Sequence, residues 1–220
     1  MGTATVSQRS YHHGDLRNAC LRSALDLLEE GGLEAVTLRA VAERTGVSRS
    51  APYRHFETKR ALLAAAAATG FRRLNDAITA ARDTAGDDPQ TRLTAGCGAY
   101  ARFGAGHPHL YRLMFAGDFC EGPLFGNRTP VEESEFPELI EAGNDAFDSL
   151  VEGLQEAQEQ GALRLRDPRS QALAIWSMIH GVMSLYLDNR TAYGRHETAA
   201  LEAVLQEVLA IAFEGLAKPS

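Results

Sequence analysis

Helical periodicity of apolar residues runs through almost the whole of this 220-residue chain, and no convincing stretch shows the alternation of a β-strand. Near the N-terminus, apolar residues recur at steps of three and four, and Gly31-Gly32 then ends the first predicted helix. The same spacing gives the last predicted helix one broad apolar stripe from 201 to 216. These patterns predict an all-α fold.

Capping and turn residues mark where the predicted helices begin and end. Ser, Thr or Asp before an apolar run supplies an N-cap, and Gly commonly ends a helix. On this basis we predict helices from Thr37 to Gly46, from Ser48 to about His55, from Thr58 towards Arg82, from 138 to 160 and from Asp167-Pro168 onwards. The Gly- and Pro-rich segment from Gly117 to Pro137 is predicted to be a long loop.

The net charge of −7 hides an asymmetry between the two ends of the chain. Residues 1–60 hold nine Lys and Arg against seven Asp and Glu, whereas the rest of the chain holds 13 against 22. A basic end indicates a polyanion partner, and an acidic remainder would discourage non-specific binding to nucleic acid. A solvated surface run is the alternative explanation of this charge pattern.

The cysteines, the N-terminal segment and one uncharged run bear on where the protein acts. Three scattered cysteines do not suit a disulfide framework, and the N-terminal segment lacks the apolar region of a secretory signal, so we expect a cytoplasmic protein. Residues 170–187 carry no charge over 18 positions. Their serine, glutamine and histidine residues favour a buried helix, and we expect no membrane partner.

Motifs of catalysis and metal binding are missing from the sequence. It contains no GxSxG, GxxxxGK[ST] or HExxH motif. Cys97, His107, His109 and Cys120 could be imagined as a metal set, but their irregular spacing matches no common zinc pattern. We therefore expect no catalytic residues, no metal and no cofactor.

The segment from Thr37 to Leu63 has the pattern of a helix-turn-helix. Two short predicted helices meet at Gly46, where the backbone can adopt the positive φ that glycine permits. Ala42 is small enough for the second helix to cross closely, and Val47 can fill the space between the two helices. In this motif the second helix enters the major groove of DNA.

The second helix of the motif carries side chains suited to DNA. Arg49, Ser50 and Ala51 at its N-terminal end would face base edges. The residues that follow are spaced so that they can spread over the sugar-phosphate backbone. The complete predicted DNA-binding set is Thr37, Arg39, Ser48, Arg49, Ser50, Ala51, Tyr53, Arg54, His55 and Lys59.

The run from Thr37 to Leu63, preceded by the predicted helix Leu16–Glu30, resembles the DNA-binding domain of TetR-family transcriptional regulators. The matching residues are Gly46-Val47-Ser48, Tyr53-Arg54-His55-Phe56, Lys59 and Leu62-Leu63. The resemblance implies phosphate contacts for the residues Thr37, Ser48, Tyr53, His55 and Lys59, and base contacts for the early residues of the recognition helix. The Ala51-Pro52 pair departs from the Thr-Leu type that is commoner before the tyrosine.

The rest of the chain resembles the helical effector-binding and dimerisation domain of the same family. The runs His107–Phe115 and Trp176–Gly181 are similar to the subgroup named for its Trp-His-Gly signature. Trp176 and His180 share one side of a helix, either as pocket walls or as a packed tryptophan beside a core histidine. The resemblance implies a pocket for a small effector, with the candidate residues Tyr100, Phe103, His107, Tyr111, Met114, Phe115, Phe119, Trp176, His180 and Met183.

The chain is therefore expected to have a flexible arm at 1–14, a helix-turn-helix DNA-binding domain at 15–62 and a helical ligand-binding and dimerisation domain at 63–220. The predicted helices 168–189 and 197–217 carry more apolar surface than one monomer core is expected to hide. Paired with their copies, they would form the four-helix interface of a homodimer.

We interpret the sequence as a ligand-responsive transcriptional regulator. It is expected to act as a repressor that binds double-stranded operator DNA as a homodimer and is released by a small, largely apolar effector. Two other classes stay open at this point. One is a helical adaptor whose basic surface binds acidic partners, and the other is an all-α enzyme without a recognisable motif.

Overall fold

The computed structural model describes residues 13–117, 134–190 and 198–216, and all regular structure in these ranges is helical. The predicted all-α fold is confirmed. The α-helices are α1 (His13–Ala35), α2 (Leu38–Thr45), α3 (Lys59–Asp83), α4 (Pro89–Gly106), α5 (Pro108–Met114), α6 (Pro137–Glu159), α7 (Pro168–Leu187) and α8 (Thr198–Leu216). A 3₁₀ turn, Pro52–Arg54, lies between α2 and α3.

The chain divides into two compact units, residues 1–66 and 67–220. In the first unit, α1 and α2 pack against each other, and the first turns of α3 complete a small core. Cys20, Leu28, Val41 and Leu62 lie at the centre of this core and are almost fully buried. The unit boundary falls inside α3, so this helix contributes its first turns to one unit and the remainder to the other.

The predicted α-helix from Ser48 to about His55 is replaced in the structure by a turn and the 3₁₀ turn Pro52–Arg54. Pro52 has no N–H, so it cannot donate the hydrogen bond to the Ser48 carbonyl that an α-helix requires. The Ala51 N–H donates to the Ser48 carbonyl instead, at 3.0 Å, and the Arg54 N–H donates to the Ala51 carbonyl at 3.2 Å. Both bonds span three residues, which is the 3₁₀ pattern.

The first run of helix in α1 ends at Gly31-Gly32, as the sequence predicts. Gly32 has φ 69° and ψ −168°, which is not a helical conformation, and a short second helical stretch follows it to Ala35. The glycine therefore interrupts α1 with a kink because it can adopt a backbone conformation that other residues avoid.

In the second unit, α4, α6, α7 and α8 pack around a shared apolar core. Two of these helices start with proline and are capped by the preceding aspartate. Asp88 accepts a hydrogen bond from the Thr91 backbone N–H, and Asp167 accepts one from the Ser170 N–H, both at 2.8 Å. The helix start predicted at Asp167-Pro168 is confirmed.

The helices α7 and α8 each leave an apolar face uncovered within the described part of the chain. On α7, Leu173 and Leu185 are 40% and 50% exposed, and no described atom lies within 4 Å of a Cβ built on Gly181. On α8, Ile211 is 60% exposed, and Val208 beside it is only half-buried. The opposite side of each helix is buried in the core, so the described part of one chain covers only one side of each.

No helix in the described ranges is long and apolar enough to span a membrane. The predicted N-terminal arm lies largely outside the described residues, and so does most of the predicted loop from Gly117 to Pro137. Phe119 and Cys120 belong to that part of the loop.

Candidate functional site

The turn of the helix-turn-helix is built as the sequence predicts. The Thr37 side-chain oxygen accepts a hydrogen bond from the Ala40 N–H at 3.0 Å and so caps α2. Gly46 adopts φ 74° and ψ 31°, in the left-handed region where glycine is favoured. The Val47 N–H then donates to the Ala42 carbonyl at 3.0 Å, which closes α2 and redirects the chain.

Beyond this turn, the first unit displays a row of exposed polar and basic side chains. Tyr53 has 55% of its surface exposed. Pro52 and Phe56 are buried, so they anchor the 3₁₀ turn to the core and hold the exposed side chains on a fixed backbone. We call this row the head surface; its exposed members are Ser48, Arg49, Ser50, Tyr53 and Arg54.

The basic residues of the predicted DNA-binding set differ in their partners. Arg39 forms an ion pair with Glu43 at 2.9 Å, and this contact lowers the pKa of the Glu43 carboxyl. The Lys59 ammonium group donates a hydrogen bond to the Leu33 carbonyl at 3.0 Å, beside the kink of α1. The guanidinium groups of Arg49 and Arg54 are exposed and make neither a hydrogen bond nor an ion pair with other described residues, although the charge of Arg49 also helps to lower the pKa of the Glu43 carboxyl. They are therefore the two guanidinium groups in this set that are best placed to bind phosphate or bases.

The remaining predicted DNA-binding residues lie at or beside the head surface. Thr37 is exposed, and its hydroxyl oxygen already accepts the capping bond of α2. Ala51 and His55 are half-buried. The Nε2 atom of His55 is buried, and no described residue makes a hydrogen bond with it. A buried ring nitrogen of this kind is satisfied by water or by a bound group.

The second unit contains a cavity lined by residues of α3, α4, α6 and α7, with Phe115 from the end of α5. Its empty space is about 590 Å³, counting the mouth. Its walls are almost entirely apolar and include the aromatic rings of Phe71, Phe147 and Trp176.

The predicted ligand-binding residues separate into two groups around this cavity. Tyr100, Phe115 and Trp176 line it directly. The others do not line it: they are Phe103, His107, Tyr111, Met114, His180 and Met183. Phe119, the last member of the predicted set, lies outside the described residues.

His180 lies behind the aromatic wall, in a hydrogen-bonded cluster with two tyrosines. Its Nδ1 atom is 2.7 Å from the Tyr111 hydroxyl and 3.2 Å from that of Tyr100, and the two hydroxyls are 2.8 Å apart. Burial lowers the pKa of His180 and raises the pKa values of both tyrosines, so all three groups stay neutral. The His180 ring also stacks on Trp176 at 4.9 Å between centroids, so it orients a wall residue of the cavity.

A pH-dependent stability difference is expected from His180. Because its pKa is lowered in the folded protein, the unfolded chain binds the extra proton first as the pH falls below about 6.5, and folding stability is lost in that range. His180→Asn keeps an acceptor near the position of Nδ1 but does not titrate. Thermal unfolding between pH 7.5 and 5.5 should therefore lower the Tm more in the wild type than in His180→Asn. Parallel Tm curves for the two proteins would show that His180 titrates normally.

Sequence reasoning missed the contribution of α3 to the cavity. Phe71, Leu74, Ile78 and Arg82 follow one another at steps of three and four residues, so they share one face of α3, and all four line the cavity. This spacing is visible in the sequence. An arginine that follows three apolar residues on the same helix face is the signal that could have identified α3 as part of a binding cavity.

The fold is thus that of a helix-turn-helix protein with an all-helical second unit. The family model described as "Bacterial regulatory proteins, tetR family" matches residues 21–66, and the model described as "Tetracyclin repressor-like, C-terminal domain" matches residues 93–210. The chain belongs to the TetR family of bacterial regulatory proteins. Members of this family are DNA-binding regulators and not enzymes, so the enzyme alternative is set aside.

Individual relatives agree with this assignment. Tetracycline repressor protein class C of Escherichia coli is 53% identical over 51 residues, which are 23% of each chain. The HTH-type transcriptional repressor KstR of Mycolicibacterium smegmatis is 38% identical over 98 residues, 44% of this chain and 48% of KstR. The match therefore spans less than half the length of either relative. A solved structure of a protein of unknown function from Rhodococcus sp. RHA1 is 30% identical with a TM-score of 0.77, covering 96% of this chain and 100% of the other.

Proposed function

We propose that this chain is a ligand-responsive repressor, which binds a palindromic operator as a homodimer and is released by a small, largely apolar effector. The observation that carries the proposal is the head surface, where Arg49 and Arg54 stand exposed on a backbone fixed by the capped α2, the Gly46 turn and buried Phe56. The relatives that match this region are named as repressors, which supports the same direction of regulation.

On DNA, the head surface divides into base-reading and phosphate-binding parts. Arg49 opens the segment after the Gly46 turn, and a guanidinium group there can bridge O6 and N7 of guanine. Tyr53 and Arg54 on the 3₁₀ turn, with Ser48 and Thr37 at its edge, are assigned to the sugar-phosphate backbone. The half-buried His55 and the anchored Lys59 border this part of the surface.

The uncovered faces of α7 and α8 support the homodimer. Leu173, Leu185 and Ile211 are large apolar residues that the described segments of one chain leave exposed. Between the two leucines, Ser177, Gly181 and Ser184 are small, so a second helix can approach α7 closely there. A self-complementary surface of this kind closes into a two-fold dimer, and its two head surfaces would read two symmetric half-sites.

The cavity is proposed as the effector site, and α3 as the element that senses its occupancy. Four of its wall residues belong to α3, whose first turns form part of the first unit. A ligand changes DNA binding only if its affinity differs between the DNA-competent and DNA-incompetent arrangements. A displacement of α3 by the ligand would supply that difference, because the affinity of a dimer for DNA depends on the distance between its two head surfaces.

We also propose that the second unit belongs to the Trp-His-Gly subgroup, because its three signature residues each have a defined place in the structure. Trp176 is a wall residue, His180 stacks on it and holds two buried tyrosines, and Gly181 gives α7 a small residue on its uncovered face. The three signature residues would then each have a separate task, in ligand contact, wall orientation and dimer packing. A regulator of this kind works where the chromosome is, in the cytoplasm.

Footprinting on the DNA upstream of the chain's own gene tests the proposal. We expect two protected half-sites of inverted sequence, with centres about 34–36 Å apart or somewhat more, because each half-site receives one head of the dimer. A scrambled fragment of equal length is the control. Protection of both fragments at the same protein concentration would contradict operator recognition and would favour a basic surface that binds polyanions in general.

A further inference from the structure

Arg82 is the one charged side chain among the described residues that line the cavity. Its neighbours in the wall are apolar, including Leu74, Ile78 and Leu93. The guanidinium is largely withdrawn from water, since only 13% of the side chain is exposed. A charge in such surroundings must be compensated by nearby groups or by a ligand.

Arg82 is held in place by two groups on α6. Its Nη1 atom donates to the Ser149 carbonyl at 3.0 Å, and its Nη2 atom donates to Glu156 at 3.2 Å. Gly96 and Gly153 leave the room that the side chain occupies, since a Cβ on Gly153 would stand 3.1 Å from Nη2. The Nε atom is buried, and no described residue accepts a hydrogen bond from it. The guanidinium is thus fixed by the protein. The Nε atom of Arg92 is buried without an acceptor as well, but Arg92 does not line the cavity.

The charges around Arg82 do not balance. Arg92 also approaches Glu156, with 3.8 Å between Nη2 and the same carboxylate oxygen. Two guanidinium groups therefore share one carboxylate, and that carboxylate is itself 37% exposed to water. The excess positive charge beside an apolar cavity favours a ligand with a negative charge.

Two other polar groups of the wall, those of Tyr100 and Cys97, do not compete for this role. Tyr100 directs its hydroxyl to Tyr111 and His180. Burial raises the pKa of the Cys97 thiol to about 12, so this side chain is neutral at physiological pH. An anionic group in the cavity would consequently find its partner at the Arg82 end.

We propose that the cavity binds an apolar carboxylic acid, with the carboxylate accepting from Arg82 and the hydrocarbon part filling the space between α3, α6 and Trp176. This inference deepens the proposed function, on which it rests for the role of the cavity as an effector site. The carboxylate would satisfy the Nε donor and offset the excess charge. The apolar walls would take up the rest of the molecule.

Three ten-carbon probes that differ only in their head group test the ligand class: decanoate, decan-1-ol and decylammonium. Trp176 is the only tryptophan of the chain and lines the cavity, so its emission reports binding to the full-length protein. At pH 7.5 we expect decanoate to bind at least about tenfold more tightly than decan-1-ol, and decylammonium most weakly. Equal binding of decanoate and decan-1-ol would overturn the inference.

The variants Arg82→Gln and Arg92→Gln separate the two guanidinium groups near Glu156. Arg82 lines the cavity and Arg92 does not, although each substitution removes one positive charge. Arg82→Gln should reduce the preference for decanoate over decan-1-ol to less than about threefold, while Arg92→Gln should leave it within about threefold of the wild type. Equal preference in both variants would show that Arg82 has no special role. If Arg82→Gln does not fold, the ranking of the three probes on the wild type decides.

Operator binding measured with the same probes distinguishes a failure of the acid preference from a failure of the proposed ligand-responsive repressor function. Decanoate that binds tightly but leaves operator affinity unchanged would support the acid site and contradict its role as an effector site. Release of operator DNA by decan-1-ol as readily as by decanoate would support a ligand-responsive regulator and contradict the acid preference.

Discussion

Replacing Gly181 by arginine is expected to convert the dimer into monomers and to weaken operator binding by about 100- to 10,000-fold. In a dimer, binding of one head surface holds the second at a high effective concentration near its half-site, and a monomer loses this advantage. Within one chain the new side chain meets open space, because no described atom lies within 4 Å of a Cβ at this position. Its length and charge instead fall on the uncovered face of α7, where a second chain is proposed to pack. Sedimentation and fluorescence anisotropy measure the two effects.

Gly106→Arg is the matched control for this variant. Gly106 also lies in a helix, α4, and a Cβ there likewise meets nothing within 4 Å. Gly106 does not belong to the uncovered faces of α7 and α8, so we expect a dimer with the operator affinity of the wild type. A Gly181→Arg protein that stays dimeric and binds DNA normally would place the dimer interface elsewhere.

Arg49→Ala is expected to cost about 1–3 kcal/mol per subunit, or roughly 30- to 20,000-fold for a dimer on its operator. The reason is the loss of a guanidinium that can bridge two acceptors on one guanine. The loss should be much smaller on scrambled DNA, because a base contact contributes only on the cognate sequence. Anisotropy titrations of both fragments at fixed salt measure this difference.

Arg54→Ala gives the comparison for Arg49, since both side chains are exposed arginines of the head surface. As a phosphate contact, Arg54 should weaken cognate and scrambled DNA alike and flatten the salt dependence by about one counterion per subunit. Lys59 is less suitable for this purpose because its bond to the Leu33 carbonyl ties it to the fold. If Arg49→Ala lost the same affinity on the cognate and the scrambled fragment, Arg49 would not be a base-reading residue.

The local features that the sequence predicted correctly depend on a few neighbouring residues. The Thr37 cap, the left-handed Gly46 and the Asp167-Pro168 helix start are each decided within about four positions, so a pattern can show them. The interruption of α1 at Gly32 is equally local. The failure nearby also has a local cause, because Pro52 removes one backbone donor and the predicted helix from Ser48 to about His55 is replaced by a 3₁₀ turn.

The cavity depends on contacts that no local pattern contains. Periodicity shows which face of a helix is apolar, but it does not show which other helix that face meets. Arg82 became a wall residue because Gly96 and Gly153, far from it in sequence, both leave room for its side chain. His180 was predicted beside Trp176 correctly, yet two tyrosines of other helices hold it behind the wall. Such arrangements arise only when the whole unit packs.

The ratio of affinities for upstream and scrambled DNA tests the central claim most directly. Fluorescence anisotropy would measure the Kd of the wild-type chain on both fragments, at the same length and at physiological salt. For a sequence-specific regulator, we expect the upstream fragment to bind about 1,000-fold or more tightly than the scrambled one, in the range typical of specific DNA-binding proteins. A ratio near one, at any salt concentration, would contradict operator recognition by this chain.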